Sequence, residues 1–488
     1  MIKAGFAEVD ITPSPGMSVT SFSESAAHSA LTPLSITASV FSDGQKTVAV
    51  AGIDAPVIEG EVFAAAFAEL KKKTGLDLLL CCASHTHKGG PVIRRWAGND
   101  EIFRKIEEIP KEIRDLGLET SCRICSPVKC GDRKLNEKYY VSFKDKIAKA
   151  VTEAAGCMEE VRLINGRSTV YDVGYNRRQK MKNGFTVSHA GKGNPDIVDF
   201  AGPCDNELVA LAAVNKDNKI IGTIVNYACH GTVENSNHFS ADWPYFMRET
   251  VRKMTGPENI TVFANGCCGD VTQINNLSTE PLRSGGKWPE ILGQRVGFAA
   301  VDAISNGDPE TFNKISFMTE NLKLGYRKPG RKNYENAVRQ MNITPDTEYS
   351  RFWATGVLLL KRKSELYPDI DCGLNVLQIG NLIICTTPAE TFAATGLAVK
   401  SSSKFPYTMV VELTNGWLGY MPTKDVFGPH GGGYEGQFKF GSYMEKTAEE
   451  KVRTKLREMI NKFSPEKEIK RQKVEPGKPW WPARPDEL

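Results

Sequence analysis

The chain has 488 residues, of which 41% are hydrophobic and 25% charged, so it can bury a substantial core as one large domain or a few smaller ones. Its formal net charge of +4 is small for this length, and no block of basic residues stands out, which argues against a dedicated nucleic-acid-binding protein. No run of about 18 apolar residues is present, so no segment is predicted to span a membrane.

The N-terminal residues and the cysteines predict a cytoplasmic protein. The segment MIKAGFAEVDITP lacks the apolar stretch of a secretory signal. The 12 cysteines stand singly or as the adjacent pairs 81–82 and 267–268. Neighbouring residues of a strand point to opposite faces, which makes adjacent cysteines a poor disulfide framework. We therefore expect reduced thiols in the cytoplasm, or a secreted or periplasmic protein if a signal peptide was removed.

The predicted elements begin with a strand–helix–strand unit. Residues 47–56 predict a strand, residues 61–75 a helix that ends at Gly75, and residues 76–84 the next strand. This order with short connections is typical of a parallel sheet covered by helices. The predicted fold class is therefore α/β, with a mostly parallel central sheet flanked by helices.

The same alternation continues along the chain. Further strands are predicted at 219–229, 260–266, 375–388 and 408–416. Further helices are predicted at 137–155, 244–254, 288–305, 390–402 and 445–463.

Two histidines stand close together in the segment ASHTHKGGP, directly after the apolar run LDLLLCC. In an extended segment, residues two apart point to the same side, so His85 and His87 can face one spot. Gly89 and Gly90 end the strand and allow backbone to approach that spot. The pattern predicts a metal ligand with a neighbouring histidine, or two ligands, against the alternative of two surface histidines in a turn.

Polar residues also follow several other apolar strands, at the point where each strand ends: His230, Asp270, Thr272, Glu390 and Tyr420. The carboxyl ends of parallel strands form one rim of a sheet, and ligands bind there. Taken alone, His230 is equally a core histidine, and Glu390 an ordinary carboxylate at a helix N-terminus. Together, two histidines, a carboxylate and an open position describe a catalytic zinc site at the carboxyl ends of the strands.

The segments that carry these residues resemble the neutral ceramidase family of zinc-dependent amidases, which release fatty acid from ceramide. The matching segments follow the order of the family and are DITP at 10–13, SHTHKGGP at 84–91, YNRR at 175–178, ACH at 228–230 with a loop that ends at Asp242, GDVT at 269–272, PAETF at 388–392, YMPT at 420–423 and YEG at 434–436. An ordered set of short motifs is much more specific than any one of them.

The resemblance implies one neutral-ceramidase-like catalytic domain at 1–463, which contains an irregular, charged insertion at 98–136. Residues 464–488 are rich in Lys, Pro and Glu and are expected to form a C-terminal tail. Members of the family continue into a C-terminal β-sandwich domain, which this chain is expected to lack.

Carried over residue by residue, the resemblance implies four zinc ligands: His85, His230, Glu390 and Tyr420. It implies that three further residues surround the scissile carbonyl: His87, Arg177 and Tyr434. The residue types suit these roles. Three strong ligands and a weaker phenol leave room for a water that zinc activates, cationic and phenolic donors stabilise an oxyanion, and a histidine can pass a proton to the leaving amine. The simpler alternatives are an ion-paired Arg177 and a packed Tyr434.

The GDVT segment departs from the family, whose motif has serine and proline where this chain has Thr272 and Gln273. Threonine keeps the hydroxyl, so Thr272 and the neighbouring Asp270 remain candidate catalytic residues, whereas a nucleophilic role becomes doubtful. His238 and Asp242, in the loop after His230, are candidates for orienting the metal ligands.

The expected substrate is an N-acyl compound, either a small molecule or lipid-like. Lys88 replaces a small serine of the family, and the expected rim segments 92–100 and 328–340 are polar and basic. Lipid amides need an apolar cleft, so we expect a substrate more polar than ceramide. Arg94, Arg95 and Arg178 could receive a carboxylate or phosphate of such a substrate, although solvated surface arginines are the simpler interpretation.

The predicted function is a zinc-dependent hydrolase that cleaves an amide bond by metal-activated water. One alternative is a zinc Lewis-acid lyase or a glycoside- or ester-cleaving enzyme, and another is a non-catalytic binding protein of the same fold. The chain has neither a P-loop nor a strand-linked GxGxxG segment, which argues against nucleotide chemistry. The ligand types would also accept other divalent metals, such as cobalt or manganese.

Overall fold

The computed structural model of the protein describes residues 2–19, 26–93, 132–342, 367–439 and 441–469, with parts of 354–365. Of the predicted insertion, residues 98–131 lie outside the described residues, and the last four belong to a helix that begins at Arg133. Of the predicted tail, residues 470–488 lie outside them, so the domain boundaries stay a prediction. In the described part of the chain, no helix has the length and apolar character to cross a membrane.

The first strands in chain order are β1 Ile2–Asp10, β2 Ser35–Ser42, β3 Thr47–Ile53, β4 Leu78–Ala83, β5 Glu159–Thr169, β6 Tyr175–Asn176, β7 Arg178–Met181, β8 Thr186–Ser188, β9 Ile197–Phe200 and β10 Glu207–Asn215. The others are β11 Ile220–Tyr227, β12 Ile260–Asn265, β13 Val271–Thr272, β14 Asp308–Pro309, β15 Ile315–Gly325, β16 Asp369–Ile379, β17 Leu382–Thr386, β18 Glu390–Thr391, β19 Tyr407–Val411 and β20 Tyr420–Met421. The α-helices with described bounds are α1 Gly60–Thr74, α2 Arg133–Gly156, α3 Trp243–Thr255, α4 Trp288–Ser305, α5 Arg331–Asn342, α6 Ala393–Ser402 and α7 Ala448–Ile460.

The central sheet is mixed, so the prediction of a mostly parallel sheet is not confirmed. Its order is β12-β11-β10-β5-β1-β2-β3-β4, with β14 also paired to β5. The pairs β3–β4 and β11–β12 are parallel, and a helix joins the two strands in each case, as the strand–helix–strand pattern predicts. The other pairs of this sheet are antiparallel. The sequence reading overlooked the hairpins β2–β3 and β10–β11, which bring in antiparallel neighbours.

A second sheet has the order β15-β16-β17-β19, and only the pair β17–β19 is parallel in it. The apolar run 375–388, predicted as one strand, is a hairpin of β16 and β17. The turn between them contains Gly380 at φ +59, a left-handed conformation that glycine adopts without steric cost. A glycine inside an apolar run therefore marked a turn.

The two sheets pack face to face, with apolar residues of both in one core cluster. Helices α1 and α2 cover the other face of the large sheet at one end, and α3 and α4 cover it at the other. Helices α6 and α7 cover the outer face of the second sheet. The result is a four-layer arrangement of helices, sheet, sheet and helices. Strands such as β3 and β4, which are buried on both faces, are therefore continuous apolar runs rather than alternating ones.

Candidate metal centre

Three histidines converge near the carboxyl ends of β4 and β11. The candidate ligand atoms of His85, His87 and His230 all lie within 4.8 Å of one another. Among the described residues, this is the one cluster of three or more His, Cys, Asp or Glu side chains close enough to hold a metal ion. The ring centroids of His85 and His230 are 4.4 Å apart, and those of His85 and His87 are 4.8 Å apart. The structure thus brings together histidines that are 145 positions apart in the sequence numbering, from 85 to 230.

A short backbone contact joins the two histidine segments. Thr86 and Gly231 form a parallel bridge, and the His87 N–H donates to the Gly231 carbonyl at 2.9 Å. A Cβ atom at position 231 would lie 2.8 Å from the His85 carbonyl oxygen, so the approach requires glycine. His85 has φ +62, and the segment is therefore not the extended strand that the sequence reading assumed. The two rings meet through this bend and the bridge instead.

Backbone carbonyls orient two of the histidines. His85 Nδ1 lies 2.6 Å from the Pro56 carbonyl oxygen, and His230 Nδ1 lies 2.7 Å from that of Cys268. Because a carbonyl can only accept, each Nδ1 carries the proton and each Nε2 presents its lone pair to the centre. Burial, followed by the positive charge of Arg177, lowers the pKa of His230 well below its usual range. Neutral imidazoles presented in this way are good metal ligands.

Glu390 adds an oxygen ligand to this group. Its Oε2 lies 3.4 Å from His85 Nε2 and 3.8 Å from His230 Nε2. That oxygen is buried and has no hydrogen-bond partner in the described part of the chain, whereas Oε1 accepts the indole N–H of Trp417 at 3.0 Å. Burial alone would raise the pKa of Glu390, but its interactions with His85, Tyr420 and Trp417 lower the pKa to about 2. The carboxylate is therefore ionised at neutral pH.

Tyr420 stands beside Glu390 because β18 and β20 are parallel neighbours, with these two residues in register. The tyrosine is buried, and its hydroxyl accepts a hydrogen bond from Arg177 Nη2 at 3.1 Å. Glu390 lies in this short strand and not at the start of a helix as predicted, since α6 begins at Ala393. The geometry places a phenol next to the carboxylate at the centre.

The donor set fits a divalent metal ion. Two Nε2 lone pairs and one ionised oxygen without a hydrogen bond face each other inside a buried site. Nitrogen and carboxylate oxygen ligands suit zinc and neighbouring transition metals. His87 is half-buried, and its Nε2 lies 3.4 Å from that of His85. Burial, followed by the charge of His85, lowers the pKa of His87 to about 3, so its imidazole is also neutral.

Arg177 is a buried cation next to the histidines. Its Nε donates to Glu435 Oε1 at 2.6 Å, its Nη2 donates to the Gly269 carbonyl at 2.8 Å, and its Nη1 lies 3.3 Å from His230 Nε2. Glu435 also accepts the hydroxyl of Ser188 at 2.5 Å. These contacts hold the guanidinium in one orientation, directed at the centre. Arg177 is thus ion-paired, as the simpler alternative predicted, and it also lies beside the candidate metal ligands.

Asp270 and Thr272 follow Gly269, whose carbonyl accepts from Arg177, but they are not part of the histidine group. Asp270 accepts the backbone N–H of Ala393 at 2.8 Å, at the start of α6, and the side-chain amide of Asn176 at 2.7 Å. Burial raises the pKa of Asp270 to about 6. Thr272 donates to Gln273 at 2.7 Å. In the structure both residues fix neighbouring segments, and their catalytic role stays a prediction.

Of the two residues predicted to orient the metal ligands, Asp242 and His238, only Asp242 is connected to a histidine of the group in the described part of the chain. Asp242 accepts the backbone N–H of Trp243 at 2.6 Å at the start of α3. The Trp243 indole donates to the backbone carbonyl of His230 at 3.0 Å. Asp242 therefore helps to position His230 indirectly, through Trp243. His238, by contrast, lies 2.9 Å from the Ser29 hydroxyl and is not part of the histidine group.

Sequence reasoning missed three residues of the site. Glu435 lies in the quoted YEG segment, so a buried partner for Arg177 could have been sought there. Trp417 and Lys439 lie in no quoted motif. Lys439 Nζ lies 2.7 Å from the centroid of the Tyr434 ring and 5.8 Å from that of Tyr420. Burial lowers the pKa of Lys439 to about 7, against the opposing effect of nearby carboxylates.

Comparison with solved structures places this geometry in a known fold. The chain matches the crystal structure of neutral ceramidase from Pseudomonas aeruginosa with a TM-score of 0.69 and 15% sequence identity, over 97% of this chain and 76% of that one. A ceramidase complexed with C2 matches with a TM-score of 0.67 and 15% identity, over 94% of this chain and 74% of that one. No protein-family model and no curated protein sequence matches the chain. The protein has a neutral-ceramidase-like fold, in agreement with the resemblance of its motifs.

Proposed function

We propose that the protein is a zinc-dependent hydrolase that cleaves the amide bond of an N-acyl compound. The observation that carries this proposal is the convergence of two histidine lone pairs with the unbonded, ionised oxygen of Glu390. The neutral-ceramidase-like fold supports amide bonds as the target, because the similar solved structures are ceramidases.

The residues that would hold the metal are His85, His230, Glu390 and Tyr420. A bound zinc ion supplies a Lewis acid for the amide carbonyl and lowers the pKa of a water molecule towards neutrality. Trp417, Pro56 and the Cys268 carbonyl keep the ligand side chains in place through the hydrogen bonds described above.

Arg177 and Tyr434 would stabilise the negative charge that develops on the carbonyl oxygen. The guanidinium is buried and fixed by Glu435 and Gly269, so it needs no reorientation when that charge appears. The Tyr434 ring lies 5.7 Å from that of Tyr420, centroid to centroid, which supports its assignment to the same site. Both groups would be donors in a water-poor environment, where such interactions are strong.

His87 would move the proton. Its imidazole is neutral, and its Nε2 lies 3.4 Å from that of His85, at the edge of the proposed metal site. A neutral imidazole can accept a proton from the attacking water and give it to the leaving nitrogen, which must be protonated to depart as an amine.

The test combines metal analysis with turnover. We expect about one zinc ion per purified chain, lost in His85→Ala and Glu390→Ala variants, and release of free carboxylic acid from N-acyl compounds by the wild type. Glu320→Ala, at a site remote from the centre in the second sheet, should retain both. A wild type that binds no metal after zinc is supplied, or metal-loaded protein that cleaves no N-acyl compound from polar to lipidic, would overturn the proposal.

A further inference from the structure

Lys439 is a buried cation of the site that the proposed hydrolysis does not use. The residue is 7% exposed, and its Nζ has no hydrogen-bond partner in the described part of the chain. Buried lysines are rare unless an anion compensates their charge. The structure therefore contains a buried amine that has no anion bound to it among the described residues, and an anionic ligand would hold it in the ammonium form.

Backbone hydrogen bonds attach the segment that carries Lys439 to the candidate metal site. Lys439 and Ser442 form an antiparallel bridge, in which the Ser442 N–H donates to the Lys439 carbonyl at 2.8 Å. The neighbouring Gly441 carbonyl accepts the Tyr420 N–H at 2.6 Å, and two hydrogen bonds from Arg327 reach Ser442. Lys439 is thus attached to the strand that carries a candidate ligand, and its Nζ lies over the face of the Tyr434 ring.

The charges around Lys439 leave it uncompensated. Glu435 is within 2.6 Å of Arg177, so these two groups neutralise each other. Glu390 belongs to the proposed metal. Another candidate cation, Arg178, is fully buried, donates to the Gly432 carbonyl at 3.2 Å and lies 4.0 Å from Asp425, so it is not the surface arginine that the sequence suggested. Unlike Arg177 and Arg178, Lys439 has neither a hydrogen bond nor an ion pair to its side-chain nitrogen among the described residues.

We propose that Lys439 binds a carboxylate of the substrate, which makes N-acyl amino acids and similar singly charged N-acyl compounds the substrate class. This inference rests on the proposed amide hydrolysis at the same site. A carboxylate fits better than a phosphate dianion because a single positive charge is uncompensated.

The test uses binding of uncleavable ligands to the zinc-loaded protein, measured by calorimetry. N-Alkylsulfonylglycine, N-alkylsulfonylethanolamine and its O-phosphate share one alkyl chain and differ in the charge they carry. The wild type should bind the glycine compound at least about tenfold more tightly than the neutral one and more tightly than the phosphate. Lys439→Met should lose this difference, and Lys439→Arg should keep most of it. Lys446→Met, at an exposed lysine nearby, should behave as wild type.

Equal affinities of the wild type for the glycine and ethanolamine compounds would overturn the inference, whatever the variants do. A Lys439→Met variant that weakens both ligands alike would also overturn it, because Lys439 would then act on the site and not on the carboxylate. Tightest binding of the phosphate would refute the single-charge assignment. Since none of these ligands is cleaved, a failure of the amide hydrolysis would appear separately, in the turnover of N-acylglycine.

Discussion

Trp417 donates its indole N–H to Glu390 Oε1, with 3.0 Å between the two atoms. The bond fixes the carboxylate so that its other oxygen, Oε2, faces His85 and His230 at 3.4 and 3.8 Å from their Nε2 atoms. Trp417, which is not one of the candidate ligands, thereby decides which oxygen of Glu390 is offered to a metal.

Replacing Trp417 by phenylalanine should weaken zinc binding by about 10–100-fold, because the carboxylate loses the group that orients it. Competition with a chelator of known affinity measures the change. Trp288→Phe is the matched control, since Trp288 lies at the start of α4 and packs against Arg283 away from the centre. Unchanged affinity in the Trp417 variant would show that the carboxylate needs no such support.

His87→Gln should retain about one zinc ion per chain and lose about 10²–10⁴-fold in turnover, because we assign the proton transfer and not metal binding to this residue. His85→Gln should lose the metal as well as the activity. Elemental analysis beside the hydrolysis rate separates the two roles. If the His87 variant loses zinc as the His85 variant does, the three histidines are a ligand triad and the assignment is wrong.

Gly231→Ala should lower the free energy of unfolding by about 1–3 kcal/mol and reduce zinc binding, because the new methyl group would collide with the His85 carbonyl across the bridge. Chemical denaturation and metal content provide the two readings. Gly330→Ala has no heavy atom of the described chain within 4 Å of the added carbon and serves as the control. Equal stability of the two variants would mean that the histidine segments can separate without cost.

Glu435→Gln should lower the free energy of unfolding by about 3–5 kcal/mol, since it leaves the buried guanidinium of Arg177 without its counter-ion. Turnover should fall as well, because the guanidinium is no longer held in place. Glu335→Gln removes an exposed partner of Arg331 and should change stability by less than about 1 kcal/mol. Denaturant unfolding measures both variants, and equal stability of the two would contradict the role of Glu435 as the counter-ion of Arg177.

Asp172, in the segment that leads to Arg177, should make part of the protein's stability depend on pH in the acid range. It accepts hydrogen bonds from Arg283 and Arg295. Burial taken alone would raise the pKa of Asp172, but these contacts and the Tyr175 hydroxyl together outweigh it and lower the pKa to about 2. A folded-state pKa below the ordinary value of 3.8 stabilises the fold above that pH, and the contribution is lost as the pH falls from about 4 towards 2.

We therefore expect that Asp172→Asn reduces stability at neutral pH and flattens the loss of stability between about pH 4 and 2. Unfolding curves at a series of pH values test this. Asp199→Asn, in strand β9, is a control at another acidic residue. A parallel shift of the whole pH profile, without a change of its acid limb, would contradict the role of the Asp172 carboxylate.

The site could be read largely from the sequence because its residues sit in short motifs next to apolar strands. His85, His230 and Glu390 each come shortly after an apolar strand, so the sequence could propose them as a group, and their role as metal ligands stays a prediction. The roles of Trp417 and Lys439 could not be read, because they depend on contacts between a loop and residues elsewhere in the chain. The hydrogen bond from the backbone of Ala393 to Asp270 at the start of α6 is another long-range contact that the motif did not reveal.

The sheet was harder to predict than the site. A helix between two strands predicts a parallel pair, and the units around α1 and α3 obey this rule. Hairpins between buried strands are harder to predict, because these strands do not alternate between polar and apolar residues. Only a turn residue such as Gly380 then indicates that the chain reverses direction. The neighbours of β1 and β5 are set by long-range pairing, which no local pattern records.

The candidate ligands come from both sheets: His85 and His230 follow strands of the large sheet, and Glu390 and Tyr420 follow strands of the second one. A metal ion at this seam would act as a cross-link between two halves of the chain. During synthesis the ribosome delivers the last ligand, at position 420, long after the first, at position 85. Metal loading would then be a late event of maturation, and a nascent chain that holds its histidines early could capture a metal without the carboxylate that completes the site.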